Sequence, residues 1–247
     1  ENFHKLYQAT RGKSWLTVTL GNHDSRRSLS RFGDAANFRH ASASLLATWL
    51  LTLPATPFLF QGEELGLTDH AYPTIADYRD IQTINRYHEL VAAGHLAEQA
   101  LAEVRITSRD NGRAPLPWDS SSGAGFSTAP PWLPIAEAHR PFHAAGQIHD
   151  PGSIYTAYSR LLALRKRMRS LVYGDFIPLA DPGQVLSYQR GAWENHPAVR
   201  VVLNWGSSPQ PWPCDPPAAP ALLHANHGGV DYSHLRPWEA VIFVAPE

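Results

Sequence analysis

Asn22-His23-Asp24 closes the apolar run Trp15-Leu16-Thr17-Val18-Thr19-Leu20, with Gly21 at the joint. A carboxylate, an imidazole and a carboxamide at a strand end are the kind of ionisable cluster that barrel enzymes present to substrate. Asp24 has a plainer alternative as a helix N-cap or turn aspartate. His23 has one as a core histidine held by backbone. Arg26 and Arg27 follow, then Ser30-Arg31-Phe32-Gly33. A second polar segment, Gln61-Gly62-Glu63-Glu64-Leu65-Gly66, leaves another apolar run, and Arg109-Asp110-Asn111 stands further along.

These groups need elements to hold them. Residues 2–13 read as the end of a helix stopped by Gly12, and residues 15–20 as a strand. Phe38, Ala41, Leu45, Leu46, Trp49 and Leu53 recur at helical spacing, and Pro54 and Pro57 end that helix. Thr56-Pro57-Phe58-Leu59-Phe60 reads as a short apolar strand, expected to be a buried parallel one. Helix, strand, helix, strand, each strand followed by a polar glycine-containing loop, is the rhythm of a parallel β/α architecture. Residues 67–150 form a long excursion with helical pieces over 74–102 and a Gly/Ser/Pro-rich stretch after Trp118. Ordered loops of that length tend to carry function. Residues 153–169 read as an amphipathic helix with basic residues at its C-terminal end. Beyond Val172, short strands at 184–190, 199–203, 221–224 and 240–244 alternate with turns, which predicts a small antiparallel β domain. The domain boundary is placed near residue 170.

The 247 residues suffice for one large domain or two small ones. A net charge of −1 gives no reason to expect a nucleic-acid or anionic-membrane partner. The chain carries 8 Trp, 9 Tyr and 9 Phe, a load that suits stacking on sugar faces or simply a Trp-rich core. Cys214 is the single cysteine, so no internal disulfide can form, in keeping with a reducing, cytoplasmic setting. The longest apolar stretch, Leu45 to Pro57, is broken by Thr48, Thr52 and Pro54 and falls short of a membrane span. No signal peptide is visible, and a chain beginning at Glu1 is expected not to begin where its gene product does.

Gly21-Asn22-His23-Asp24, Ser30-Arg31-Phe32-Gly33, Phe60 to Gly66, Tyr78-Arg79-Asp80, Arg109-Asp110-Asn111, Ala124-Gly125-Phe126 and Pro131-Trp132 occur in one order along the chain. Together they resemble the α-amylase superfamily of glycoside hydrolases (family 13), within it the α-glucosidase and oligo-1,6-glucosidase branch. The resemblance implies the C-terminal part of a (β/α)8 TIM barrel, followed by an antiparallel β-sandwich domain. Residues 1–170 would supply strands seven (15–20) and eight (56–60) with their helices and the long loop 67–150. Residues 171–247 would form the β domain.

Retaining glycosidases need a nucleophilic carboxylate and an acid/base carboxyl roughly 5–5.5 Å apart. The resemblance makes Asp24 a third carboxylate, which binds sugar hydroxyls and favours the oxocarbenium-like ring. It makes His23 a hydrogen-bond donor to a sugar hydroxyl in the same subsite. Arg109 would hold the non-reducing-end glucose with its planar fork, its alternative being a surface salt bridge. Asn22, Arg27 and Glu63 are supporting residues, and Arg31 helps hold the loop after strand seven. Glu63 and Glu64 lie after strand eight, so Asp24 and Glu63 are not the retaining pair. Trp118, Phe126 and Trp132 either wall the pocket or pack the loop. The branch usually has Pro where Arg26 stands and Gln where Pro117 stands. Pro117 removes a side-chain donor and stiffens the loop, which bears on substrate preference. No metal or cofactor is implied.

The nucleophile and the acid/base belong to strands four and five, upstream of this chain. The chain alone is therefore expected to lack glycosidase activity. Its two parallel strands are expected to need the N-terminal part of the barrel, from the same parent chain or a second one. The substrate would be a short oligosaccharide or α-glucoside. Two alternatives stand beside the hydrolase: a glucosyl-transferring or isomerising relative such as a trehalose synthase or sucrose isomerase, and a non-catalytic family member. An intact Asn22-His23-Asp24 and Arg109 speak against the last.

Overall fold

The computed structural model describes residues 2–179, 183–213 and 221–246. Cys214 lies outside them. In chain order the elements are α1 (Asn2–Thr10), β1 (Thr17–Thr19), α2 (Ser28–Phe32), α3 (Arg39–Thr52), β2 (Thr56–Phe58), α4 (Ile81–Ala92), α5 (Ala97–Thr107), α6 (Asp110–Arg113), α7 (Ala144–Gln147), α8 (Ile154–Arg167), α9 (Ser170–Tyr173), β3 (Phe176–Pro178), β4 (Val185–Arg190), β5 (Val199–Asn204), β6 (Leu222–Ala225) and β7 (Ala240–Val244). Short 3-10 turns lie at Ile75–Asp77 and Glu137–Phe142. The residues gather into two compact units, one of 1–19, 33–58 and 157–247, the other of 20–32 and 59–156.

In the first unit β1 and β2 pair in parallel, Thr17 opposite Thr56 and Thr19 opposite Phe58. Gly12, at φ 73°, ends α1 in the left-handed region that glycine adopts without strain. The burial expected of the second strand is not observed: Phe58 is 58% exposed, and Leu59, which follows the strand, is 39% exposed. A parallel strand is buried by cover on both faces. Among the described residues β1 is the one strand hydrogen-bonded to β2. The helix predicted over 37–53 forms, but it is enclosed on nearly every side, including Ser42, Ser44, Thr48 and Thr52. Thr48 and Thr52 settle their hydroxyls on carbonyls one turn back, Ser44 O at 2.8 Å and Thr48 O at 2.6 Å, so the polar atoms cost little there.

The C-terminal strands form one five-stranded sheet in the order β3-β4-β5-β7-β6, antiparallel throughout. Val185, Val202, Leu235, Val241 and Phe243 pack on one of its faces. Helix α3 lies against the sheet through Trp49, edge-on to Trp205 at 6.0 Å, and through a hydroxyl–hydroxyl bond from Thr52 to Tyr188. Strand β3 was not predicted; it spans three residues and contains Pro178, which the sheet accommodates at its edge.

The second unit is built of loops and short helices around three small cores: Leu65, Leu67, Leu116 and Ala144; Tyr72, Tyr78 and Leu133; and Leu90, Ala100 and Val104. Asp80 caps α4, accepting from the Gln82 amide at 3.3 Å. No helix of the described residues is long and apolar enough to cross a membrane.

Candidate active site

The site is assembled within the second unit from three stretches: 20–27, 60–70 and 109–113. Asn22 turns the chain after β1. Its side-chain oxygen accepts from the Asp24 amide at 2.8 Å, an Asx turn. Ser25 closes the other side, accepting from the Asn22 amide at 2.9 Å. The turn is therefore capped by Asn22, which leaves the Asp24 carboxylate to other partners.

Arg27 ties the three stretches together from beneath. Its Nε donates to Asn111 O at 2.9 Å and its Nη1 to Gln61 O at 2.5 Å, while its amide donates to Asp69 at 2.8 Å. Burial lowers this guanidinium to about 10, opposed by Glu63, Glu64 and Asp69, so it stays charged at neutral pH. Glu63 is buried beside it and accepts from the Phe60 amide at 3.2 Å. Burial raises the Glu63 carboxyl to about 7 against the pull of the Phe60 amide, Ser28 and Arg27. A Cβ at Gly21 would stand 2.9 Å from a Glu63 carboxylate oxygen, so a larger residue there would require the Glu63 carboxylate to shift. Glu64 accepts from the Gly62 amide at 2.8 Å. Arg26 pairs with Asp69 at 2.6 Å, and Arg31 reaches Leu20 O at 3.4 Å.

The upper layer is the polar cluster itself. His23 and Asp24 are 73% and 53% exposed, with Nε2 and Oδ2 3.3 Å apart. The other Asp24 oxygen accepts from Arg113 Nη2 at 2.6 Å and lies 3.7 Å from Arg109 Nη1. Arg113 also donates through Nε to His23 O at 2.8 Å. Arg109 is gripped from below by Asp80, whose side chain is 2% exposed: Nε at 2.9 Å and Nη2 at 2.5 Å share one carboxylate oxygen. Burial alone would raise the Asp80 carboxyl, but hydrogen bonds from Arg109 and Thr83 and the Arg109 charge outweigh it and hold it at about 2. Asp110 accepts from the amides of Arg79 at 2.7 Å and Asp80 at 2.9 Å. Asn111 fastens the same turn to the His70 amide at 3.1 Å.

The structure thus brings Asn22, His23, Asp24 and Arg109 to one place and sets Arg27 and Glu63 under them. Arg109 does form ion pairs, closely with buried Asp80 and more loosely, at 3.7 Å, with half-exposed Asp24. Asp80 enters the sequence reading only within the Tyr78-Arg79-Asp80 motif, without a role, and Gly112 and Arg113 are given no role there. Arg109 and Arg113 are four residues apart on one helical turn, a spacing that puts both on one side, and this was the available signal. Trp118, Phe126 and Trp132 are all exposed, which rules out packing inside the loop's core. Pro117 keeps its carbonyl in use, accepting from the Ala144 amide at 3.0 Å. No group of three metal-ligating side chains occurs among the described residues.

A carboxylate steadied by cations and set beside an imidazole, at a strand's C-terminal end, is suited to gripping vicinal hydroxyls. The sequence model of the α-amylase catalytic domain matches residues 1–174. The chain belongs to the α-amylase family. It is 38% identical over 188 residues to the oligo-1,6-glucosidase of Parageobacillus thermoglucosidasius, 75% of this chain and 34% of that enzyme. It is 36% identical over 236 residues to the α-glucosidase of Pediococcus pentosaceus, 94% of this chain and 42% of that enzyme. Among solved structures, an isomaltulose synthase mutant of Erwinia rhapontici, in complex with D-glucose, superimposes with a TM-score of 0.85 at 32% identity, covering 98% of this chain and 44% of that one. The chain therefore spans less than half the length of these α-amylase family relatives.

Proposed function

We propose that this chain is the C-terminal part of a retaining α-glucosidase that removes terminal α-linked glucose from short oligosaccharides. Residues 1–170 supply strands seven and eight of the (β/α)8 barrel, and residues 171–247 a β-sandwich-type domain. Asp24 is the carboxylate that binds two sugar hydroxyls and favours the oxocarbenium-like transition state. His23 donates to a hydroxyl of the same glucose. Arg109, fixed by Asp80, presents Nη1 to the non-reducing end. Such contacts count for catalysis when they tighten as charge develops on the ring.

The observation that carries this reading is Asp24 itself: an exposed carboxylate at the end of β1, braced at 2.6 Å by Arg113 and flanked by His23 and Arg109. Asp80 and Asp110, below it, are buried and bonded to backbone amides. They are not free to attack or protonate a glycoside. The nucleophile and the acid/base come from the N-terminal part of the barrel, which also covers the apolar β1–β2 pair.

The test is reconstitution. The purified 247-residue chain is expected to show no hydrolysis of p-nitrophenyl α-glucoside. A completed enzyme, made by joining it to the segment of the Pediococcus α-glucosidase that precedes the matched region, is expected to hydrolyse it. Activity of the chain alone would refute the division of catalytic groups. The structural likeness to an isomaltulose synthase favours a second reading, a sucrose-isomerising enzyme. The products formed from sucrose by the completed enzyme separate the two: glucose and fructose for hydrolysis, an isomeric disaccharide for isomerisation.

A further inference from the structure

The two arginines of the α6 turn hold their carboxylates differently. Arg109 gives Nε and Nη2 to buried Asp80, which leaves its Nη1 3.7 Å from Asp24, beyond hydrogen-bonding range. Arg113 makes the direct contact, 2.6 Å from Nη2 to Asp24 Oδ1. Its Nε simultaneously holds the main-chain carbonyl of His23 at 2.8 Å. One planar guanidinium therefore grips the side chain of Asp24 and the backbone just before it. A planar fork fixes orientation in a way a single ammonium cannot.

The turn that carries Arg113 is itself locked to the loop. A Cβ on Gly112 would lie 3.0 Å from both Asn22 O and Ser25 O, so a larger residue here would press on the backbone of the loop. The Asx turn of Asn22 fixes the Asp24 amide from the other side at 2.8 Å. Asp24 is half-exposed and would otherwise turn about its side-chain bonds.

We infer that Arg113 is a positioning residue: it holds the Asp24 carboxylate in the rotamer that meets the sugar in the transition state, while Arg109 serves ground-state binding of glucose. This rests on the proposed role of Asp24 and adds a division of labour between two arginines four residues apart. The division has a kinetic signature. Loss of an interaction made mainly in the transition state lowers kcat, whereas loss of uniform binding raises KM.

The experiment compares Arg113→Ala, Arg113→Lys, Arg109→Ala and Asp24→Asn in the completed enzyme with p-nitrophenyl α-glucoside. Arg113→Ala is expected to lower kcat about 10²-fold, the order of loss from a misplacement of about 1 Å, with KM little changed. Added guanidinium ion should restore part of that kcat, and Arg113→Lys should retain more than the alanine variant. Arg109→Ala should act mainly on KM. An unchanged kcat in Arg113→Ala, while Asp24→Asn is inactive, overturns the inference and leaves the role of Asp24 standing. An active Asp24→Asn variant overturns both. A double-mutant cycle on the thermal unfolding of the same protein, with Asp24→Asn and Arg113→Ala, reads the contact without activity: coupled effects are expected, and additive ones would overturn the clamp.

Discussion

Glu63 illustrates how a residue can matter to this site without touching substrate. Its carboxyl is buried against Gly21 and lies beside Arg27, and burial raises it to about 7 from an ordinary 4.5. The folded protein then binds a proton that the unfolded chain releases near pH 4.5. Stability from this group is complete below that pH and falls as pH rises, until the carboxyl has ionised near 7. Glu63→Gln, neutral at every pH, should flatten this part of the curve. Melting temperatures of wild type and variant between pH 4.5 and 7.5 check it: the gap in favour of the variant should widen as pH rises, and parallel curves would contradict it. Asp80 has the opposite sign, since its carboxyl is held at about 2. The stability it lends is present above its ordinary value and lost as pH falls towards 2.

Elements were legible in the sequence to different degrees, for physical reasons. Strand β1 and helices α3 and α8 announce themselves by local pattern, and each formed within a few residues of its predicted place. The motif order placed Asn22-His23-Asp24 with Arg109 before any contact was visible. The four-residue spacing of Arg109 and Arg113 puts both on one side, but the Arg113 contact with Asp24 spans 89 residues and no local pattern names that partner. The Asp80–Arg109 grip, 29 residues apart across α4 and α5, was hidden in the same way. Strand β2 is more exposed than its sequence implies because apolar residues report what a strand face would bury, whatever cover is at hand.

Helix α3 shows another feature that pattern conceals. Its last carbonyls, a terminus that leaves acceptors unsatisfied, and those just beyond it are met by two buried arginines. Arg165 donates to Leu51 O at 2.8 Å, Leu53 O at 3.0 Å and Ala55 O at 2.6 Å, and Arg190 to Thr52 O at 2.5 Å. Arg190 also reaches Leu171 O and Gly174 O, and burial lowers it to about 9. Arg190→Met would strand several buried carbonyls, each costing about 1–3 kcal/mol. Urea unfolding of the completed enzyme should show a loss of at least about 2 kcal/mol, and a variant as stable as wild type would refute this role for Arg190.

At the scale of the whole molecule, two facts bear on each other. The chain spans less than half of its α-amylase family relatives, and its parallel strand pair exposes Phe58, with Leu59 just after it exposed as well. Both accord with the proposal that the barrel is shared with an N-terminal segment, which brings the nucleophile and the acid/base to Asp24. In that arrangement this chain holds the glucose and steadies the transition state, and the bond is broken by groups from elsewhere. Reconstituted activity would then depend on Asp24 even though Asp24 neither attacks nor protonates.

The most direct measurement is therefore kcat/KM for p-nitrophenyl α-glucoside in the completed enzyme with Asp24 and with Asp24→Asn, an exchange that keeps shape and removes charge. The account predicts a loss of about 10²–10³-fold, the range for removing one preorganised transition-state contact, in a protein whose melting curve shifts only as far as loss of the Arg113 contact requires. Retention of wild-type kcat/KM by the Asp24→Asn enzyme would contradict it.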